Sequence, residues 1–197
     1  MIKDEPIQDL PTGVAEALLL GLQQDTLVST RMPAVQAASG GFVGDKHFGV
    51  THPSDSRTPY YQRGSTIFND RQLSIVSVED LNEVASLMSL PKIEAEWLGA
   101  NVLTSGIAQL SRLSPGTRLF FSGGVVLYVT HSNNPCSGPG KIIQEHFPER
   151  EGLTALFIKL AMHHRGVVAV VDMPGEIKQG ETIRVRHEER YTYREEV

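Results

Sequence analysis

A chain of 197 residues, 40% hydrophobic and 21% charged, has the composition of a soluble globular protein with one large domain. A formal net charge of −5 argues against a general nucleic-acid binder but leaves room for a local basic pocket. The single cysteine excludes an internal disulfide and favours a reducing, cytoplasmic setting. No apolar run approaches the ~20 residues of a membrane span, and the first residues lack the basic start of a secretory signal.

In chain order, residues 1–13 carry Pro6, Pro11 and Gly13 and read as a loosely ordered lead-in. Val14 to Leu22 is apolar but for Glu16; it is too short for periodicity to decide, and its Ala and Leu content favours helix. Glycines 40, 41, 44 and 49 imply tight turns or close backbone approach, in neither Walker nor Rossmann spacing. Residues 50–71 read as a long polar loop, kept from disorder by Tyr60, Tyr61 and Phe68. It gathers Arg57, Arg63 and Arg71 close to Lys46, a set suited to a phosphate or another compact oxyanion. The competing reading is a solvated loop with surface arginines.

Gln72 to Val76 predicts a strand, and Ser77 an N-cap with Asp80 three positions on. Leu81, Val84, Leu87 and Met88 predict one face of a helix that ends before Pro91. Trp97 to Leu103 reaches another short strand. Turns at 114–117 and 122–124 flank a strand at Arg118 to Phe121, and Val125 to Val129 predicts a buried strand. Residues 141–147 have room for a helical turn or more, Leu153 to His164 predicts a helix, and Val167 to Val171 a buried strand. Pro174-Gly175 is a turn, Glu181 to Val185 a last alternating strand, and 187–197 a charged, solvated tail. Short strands with glycine turns and two helices predict a mainly β fold: a barrel closed to hide its strand edges, with helices at its margin.

The chemistry centres on Thr130 to Gly140, a turn-rich stretch holding Cys136 just past a buried strand. A structural cysteine belongs more often inside the apolar run; a bystander thiol on the loop is the competing reading. The seven histidines show no HExxH or His-x-His, and there is no CxxC, so an ordinary zinc site is not expected. His131 is a possible imidazole partner for the thiol, with a surface role as the alternative. No G-x-S-x-G serine nucleophile is present. A helix opening at Ser137 to Lys141 would aim its first amides at the sulfur.

Five segments, in this order, resemble the MOSC domain, found at the C-terminus of molybdenum cofactor sulfurases and as stand-alone bacterial proteins: Gly44 to Gly49, Arg71 to Val76, Leu98 to Val102, Leu113 to Leu119, and Asn134-Pro135-Cys136. The resemblance covers residues 14–186 as a single domain. It implies a closed β-barrel with flanking helices, of the kind compared with the pyruvate kinase barrel, and makes Val14 to Leu20 its first strand. It implies that Cys136 is the reactive group, either a molybdenum ligand or the carrier of a persulfide; both roles need a thiolate. It implies cofactor binding by Gly44, Asp45, Lys46, His47, Arg71 and Asn101. Lys46 stands where the family more often has arginine, and Arg57 and Arg63 join the set by charge alone. The implied cofactor is the molybdenum cofactor (molybdopterin). The chain has no room for a pyridoxal phosphate domain, so a carrier needs a cysteine desulfurase, and a reductase of N-hydroxylated small molecules needs an electron-donating partner. A non-catalytic anion-binding module is the third reading; no nucleic acid or membrane is expected as partner.

Overall fold

The computed structural model describes residues 11–187. Apart from residues 11–13 and 187, the expected lead-in and tail lie outside the described residues. Strand β1 (Thr12–Leu20) is the first element, where propensity favoured a helix and the family resemblance a strand. Its two faces are both covered. Ala15, Leu18 and Leu20 point into one core; Ala17 and Leu19 point into another. A strand buried on both sides has no polar face, which is why its sequence does not alternate.

The strands that follow are β2 (Thr30–Met32), β3 (Ala34–Ala38), β4 (Gly41–Phe42), β5 (Thr51–Pro53), β6 (Thr66–Phe68), β7 (Leu73–Ser77), β8 (Val102–Ser105), β9 (Arg118–Phe121), β10 (Val126–Ser132), β11 (Val167–Met173), β12 (Gly175–Lys178) and β13 (Thr182–Arg186). Seven of them close a barrel in the order β1, β13, β9, β10, β11, β7, β8, and β8 returns to β1. Every pairing around it is antiparallel except β7 with β8. Closure leaves no barrel edge unpaired. Phe42, Leu73, Ile75, Leu119, Leu127 and Ile183 belong to the core inside.

The second core lies between the barrel wall and three helices: α1 (Val78–Leu87), α2 (Ser137–His146) and α3 (Leu153–Leu160). Ser77 caps α1, its hydroxyl accepting from the Asp80 amide at 3.1 Å. Leu81, Val84 and Met88 are buried as predicted, but Leu87 is 47% exposed. Six positions on from Leu81 is about 240° around a helix, so Leu87 leaves the face that Ala85 joins. Helix α3 is shorter than the predicted Leu153 to His164. It stops at Ala161, and His163 turns into left-handed backbone at φ +67.

The stretch 50–71 is not structureless. Strands β5 and β6 pair as a small hairpin, and the Asn69 side-chain amide donates to the carbonyls of His47 (3.0 Å) and Gly49 (2.9 Å). A polar sequence concealed this hairpin because its anchors are backbone carbonyls far away in the chain. Strand β12 follows directly on the predicted Pro174-Gly175 turn and joins β3 and β4 in a separate three-stranded sheet.

Candidate functional site

Strand β10 delivers the chain to the mouth of the barrel. Beyond it, the Asn133 amide donates to the Gly166 carbonyl at 3.0 Å. The Asn133 side chain accepts from Arg71 Nη2 at 3.1 Å and donates to Ser74 Oγ at 3.0 Å. One asparagine therefore ties the cysteine loop to the start of β7 and to the turn before β11. Three residues later Cys136 stands in extended backbone at the N-cap of α2, with its thiol exposed. The sulfur makes no capping hydrogen bond, yet a methyl group placed on Gly138 would sit 4.0 Å from it. The thiol thus lies against the first turn of a helix, whose amides carry partial positive charge.

Cys136 opens onto a cleft of about 430 Å3 whose walls include His47, Arg57, Arg71, Ser74, Asn101, Asn133 and Arg165. Behind the wall is a buried polar knot. Asp45 Oδ2 accepts from the Gly21 amide at 2.7 Å and from Asn101 Nδ2 at 2.8 Å. Asp45 Oδ1 accepts from the His47 amide at 2.8 Å and lies 3.0 Å from His47 Nδ1. Burial pushes this carboxyl's pKa up, but the hydrogen bonds from His47 and Gly21 outweigh it, and the net value lies below 3.8. An ionised carboxylate only accepts, so Nδ1 of His47 carries a hydrogen and Nε2 is left for a ligand. Asn101 also accepts from the Ser74 amide at 2.9 Å and donates to the Leu19 carbonyl at 3.3 Å, joining three barrel strands beneath the cleft.

The predicted site residues divide into three groups. Cys136, His47, Arg57, Arg71 and Asn101 line one cleft. Gly44 and Asp45 stand behind it: Gly44 makes the turn at φ +90, and Asp45 fixes His47 and Asn101. Lys46 and Arg63 are not in the lining. The Lys46 ammonium is held by the Thr26 carbonyl, and Arg63 sits exposed in the β5–β6 connection. His131 is not in the lining either; its Nε2 bonds Asp70 at 2.7 Å.

The lining cations differ in charge balance. Arg57 forms an ion pair with Asp55, whose pKa falls to about 2 through that hydrogen bond. Arg71 is half-buried and its side chain hydrogen-bonds the neutral Asn133; burial, then repulsion from Arg57, lowers its pKa. Arg165 went unnoticed in the sequence. The available signal was an Arg-Gly pair directly before the wholly apolar run Val167 to Val171, at the mouth of a buried strand.

A second groove of about 620 Å3 lies past Val28 and Ser29, walled by Arg31, Glu94, Glu96, Trp97 and His146. Its charges pair with one another, as in Arg31 Nε to Glu96 at 2.5 Å, and Cys136 does not reach it. The thiol lines the smaller cleft, together with Arg71 and Arg165, which form no ion pair among the described residues.

Among the described residues no helix is long and apolar enough to cross a membrane. The chain matches the MOSC domain family over residues 44–184. It is 40% identical over 179 residues to YuaD of Bacillus subtilis (strain 168), provisionally named for metal-sulfur cluster biosynthesis; the match spans 91% of this chain and 93% of YuaD. The crystal structure of B. subtilis YuaD superposes with a TM-score of 0.88 at 39% identity, over 90% of this chain and 97% of that one. YiiM from Geobacillus stearothermophilus shares the fold at a TM-score of 0.60 and 12% identity, over 89% of this chain and 75% of YiiM. Barrel, cysteine loop and sequence agree: the chain belongs to the MOSC domain family.

Proposed function

We propose that this protein binds the molybdenum cofactor, with Cys136 as the protein's ligand to the metal, and reduces N-hydroxylated small molecules in the cytoplasm with electrons from a reductase partner. The observation that carries this reading is the union of an exposed thiol with a roomy cleft lined by the half-buried Arg71 and the buried Arg165, neither of which forms an ion pair with a carboxylate among the described residues. A carrier of one sulfur atom needs a thiol; it does not need about 430 Å3 of cation-lined space.

The donor set fits the group. Among the described residues no cluster of three or more His, Cys, Asp or Glu side chains could hold a bare metal ion. A single soft thiolate suits a metal that arrives with most of its ligands already in place. Arg71, Arg165 and Nε2 of His47 would hold the anionic and polar parts of the pterin, and Asn101 and Asn133 would fix the loops around it. When bound, the cofactor would supply a soft redox metal able to take an oxygen atom from an N–OH group. The net change consumes two electrons and two protons, breaks the N–O bond and releases water.

A persulfide carrier is the second reading, favoured by two facts. The chain has one cysteine, so no internal thiol can discharge a loaded sulfur as a disulfide. The name of the relative YuaD also points to metal-sulfur assembly. A cysteine desulfurase would then load Cys136.

The deciding assay supplies a reduced viologen and an N-hydroxylated amidine to protein made in a host that synthesises the cofactor. Turnover is expected from the wild type and not from Cys136→Ser. Equal turnover by both would remove Cys136 from the chemistry. No turnover, with rapid loading of Cys136 by a desulfurase, would favour the carrier.

A further inference from the structure

Arg165 is the most deeply buried charged side chain in the cleft lining. It is 6% exposed, and its guanidinium bonds two neutral groups: the Leu98 carbonyl at 2.6 Å and Ser74 Oγ at 3.3 Å. No carboxylate pairs with it among the described residues. An unpaired buried charge is strongly unfavourable, and a protein keeps one only where something else compensates. Burial lowers the Arg165 pKa to about 10.

The fold fixes this residue from both sides. On one side His164 Nδ1 lies 3.2 Å from Oδ1 of the buried Asp80. On the other, the Gly166 amide donates to Ser111 Oγ at 2.6 Å, and Ser111 donates to Asp80 Oδ2 at 2.7 Å. Gly166 has φ +86, and a Cβ there would lie 1.9 Å from the Ile75 carbonyl oxygen, so only glycine fits. The Gly166 carbonyl in turn accepts from Asn133 on the cysteine loop. A clamped turn thus presents one buried cation to the cleft. Ser74 Oγ beside it already accepts from Asn133 and from Arg165, which leaves its own hydrogen to donate.

We infer that Arg165 and Ser74 form a buried oxyanion subsite, which seats a phosphate-type group of the ligand at the base of the cleft while Cys136 engages the ligand's reactive end. Arg165 is the main anchor of this subsite and Arg71 a secondary one. Lys46 and Arg63, outside the lining, take no part. The subsite selects ligands that carry an oxyanion over uncharged heterocycles of the same shape. It rests on the reading of the cleft as a cofactor site, but its test needs no cofactor.

The experiment is titration calorimetry with inorganic phosphate in low-chloride buffer, on wild type, Arg165→Gln, Arg165→Lys and Arg63→Gln, with thermal melts of each. Wild type and Arg63→Gln are expected to bind one phosphate with the same affinity. Arg165→Gln should bind about tenfold more weakly or worse, as expected for losing a charge-assisted contact, while its melting temperature stays level or rises because an uncompensated charge is gone. Arg165→Lys, which keeps charge but loses the fork, should fall between. A lower melting temperature in Arg165→Gln with unchanged phosphate affinity would make Arg165 merely structural and overturn the inference. So would wild type that binds no phosphate. If Arg165→Gln does not fold, Arg165→Lys decides: unimpaired binding overturns the subsite. Phosphate binding that depends on Arg165, in protein that never acquires molybdenum, would uphold the subsite and sink the cofactor reading instead.

Discussion

Asp45 holds the site together, and its removal is the most calculable perturbation. Its side chain is 1% exposed and accepts from Gly21, Asn101 and His47. In Asp45→Ala, the Gly21 amide and the Asn101 side-chain amide lose their acceptor inside the protein. Each stranded buried donor costs about 1–3 kcal/mol, and the lost contacts are to a charged group. The half-exposed His47 pairing adds little. The sum is about 3–5 kcal/mol, a large part of a typical stability of about 5–15 kcal/mol, or a melting temperature lower by about 6–20 °C for a chain of this length. Asp45→Asn keeps one acceptor oxygen and should cost about 2 kcal/mol. The sign with pH follows from the depressed carboxyl. A group whose folded pKa lies below its unfolded value stabilises fully above the unfolded value, and the benefit is lost as pH falls through the folded value. Urea unfolding of wild type and Asp45→Ala should therefore show a constant gap from pH 7 down towards 4, narrowing below 3.8. A gap under about 1 kcal/mol at pH 7, or one that widens on acidification, would refute the reasoning.

Gly166→Ala forces a Cβ into left-handed backbone and to within 1.9 Å of the Ile75 carbonyl; it should cost more than about 3 kcal/mol, and a melting temperature within about 2 °C of wild type would contradict this. Charge reversal at Arg71, which bonds Asn133 of the cysteine loop, should weaken retention of cofactor or anion at least about tenfold with the circular dichroism spectrum intact, while Arg63→Glu leaves retention unchanged. Unchanged binding in Arg71→Glu, or loss of its fold, would remove Arg71 from the site.

Much of the barrel could be read in the chain because its strands follow turn chemistry. Ser122-Gly123-Gly124 returns β9 to β10, and the Ser77 cap marks where β7 gives way to α1. What the residues alone did not reveal shares one physical cause, partners distant in sequence. Strand β1 reads as helix until both its faces are covered by cores that close only when β13 pairs back to it. The β5–β6 hairpin is held by Asn69 across some 20 positions. Charge alone grouped Lys46, Arg57, Arg63 and Arg71, and the fold admits two of them to the cleft. Direction decides membership: Lys46 turns to the Thr26 carbonyl, and Arg165, more than 90 positions from Arg71, turns inward. The exposed loop position of Cys136 was legible because Asn, Pro, Ser and Gly crowd around it just past a buried strand.

The most direct test of the central claim is the molybdenum and pterin content of protein purified without air from a cofactor-producing host, beside Cys136→Ala. The account predicts near-stoichiometric molybdenum and pterin in the wild type, both lost in the variant. Wild-type protein without molybdenum, whose Cys136 instead carries about 32 Da of added sulfur as a persulfide, would contradict it and make the protein a sulfur carrier.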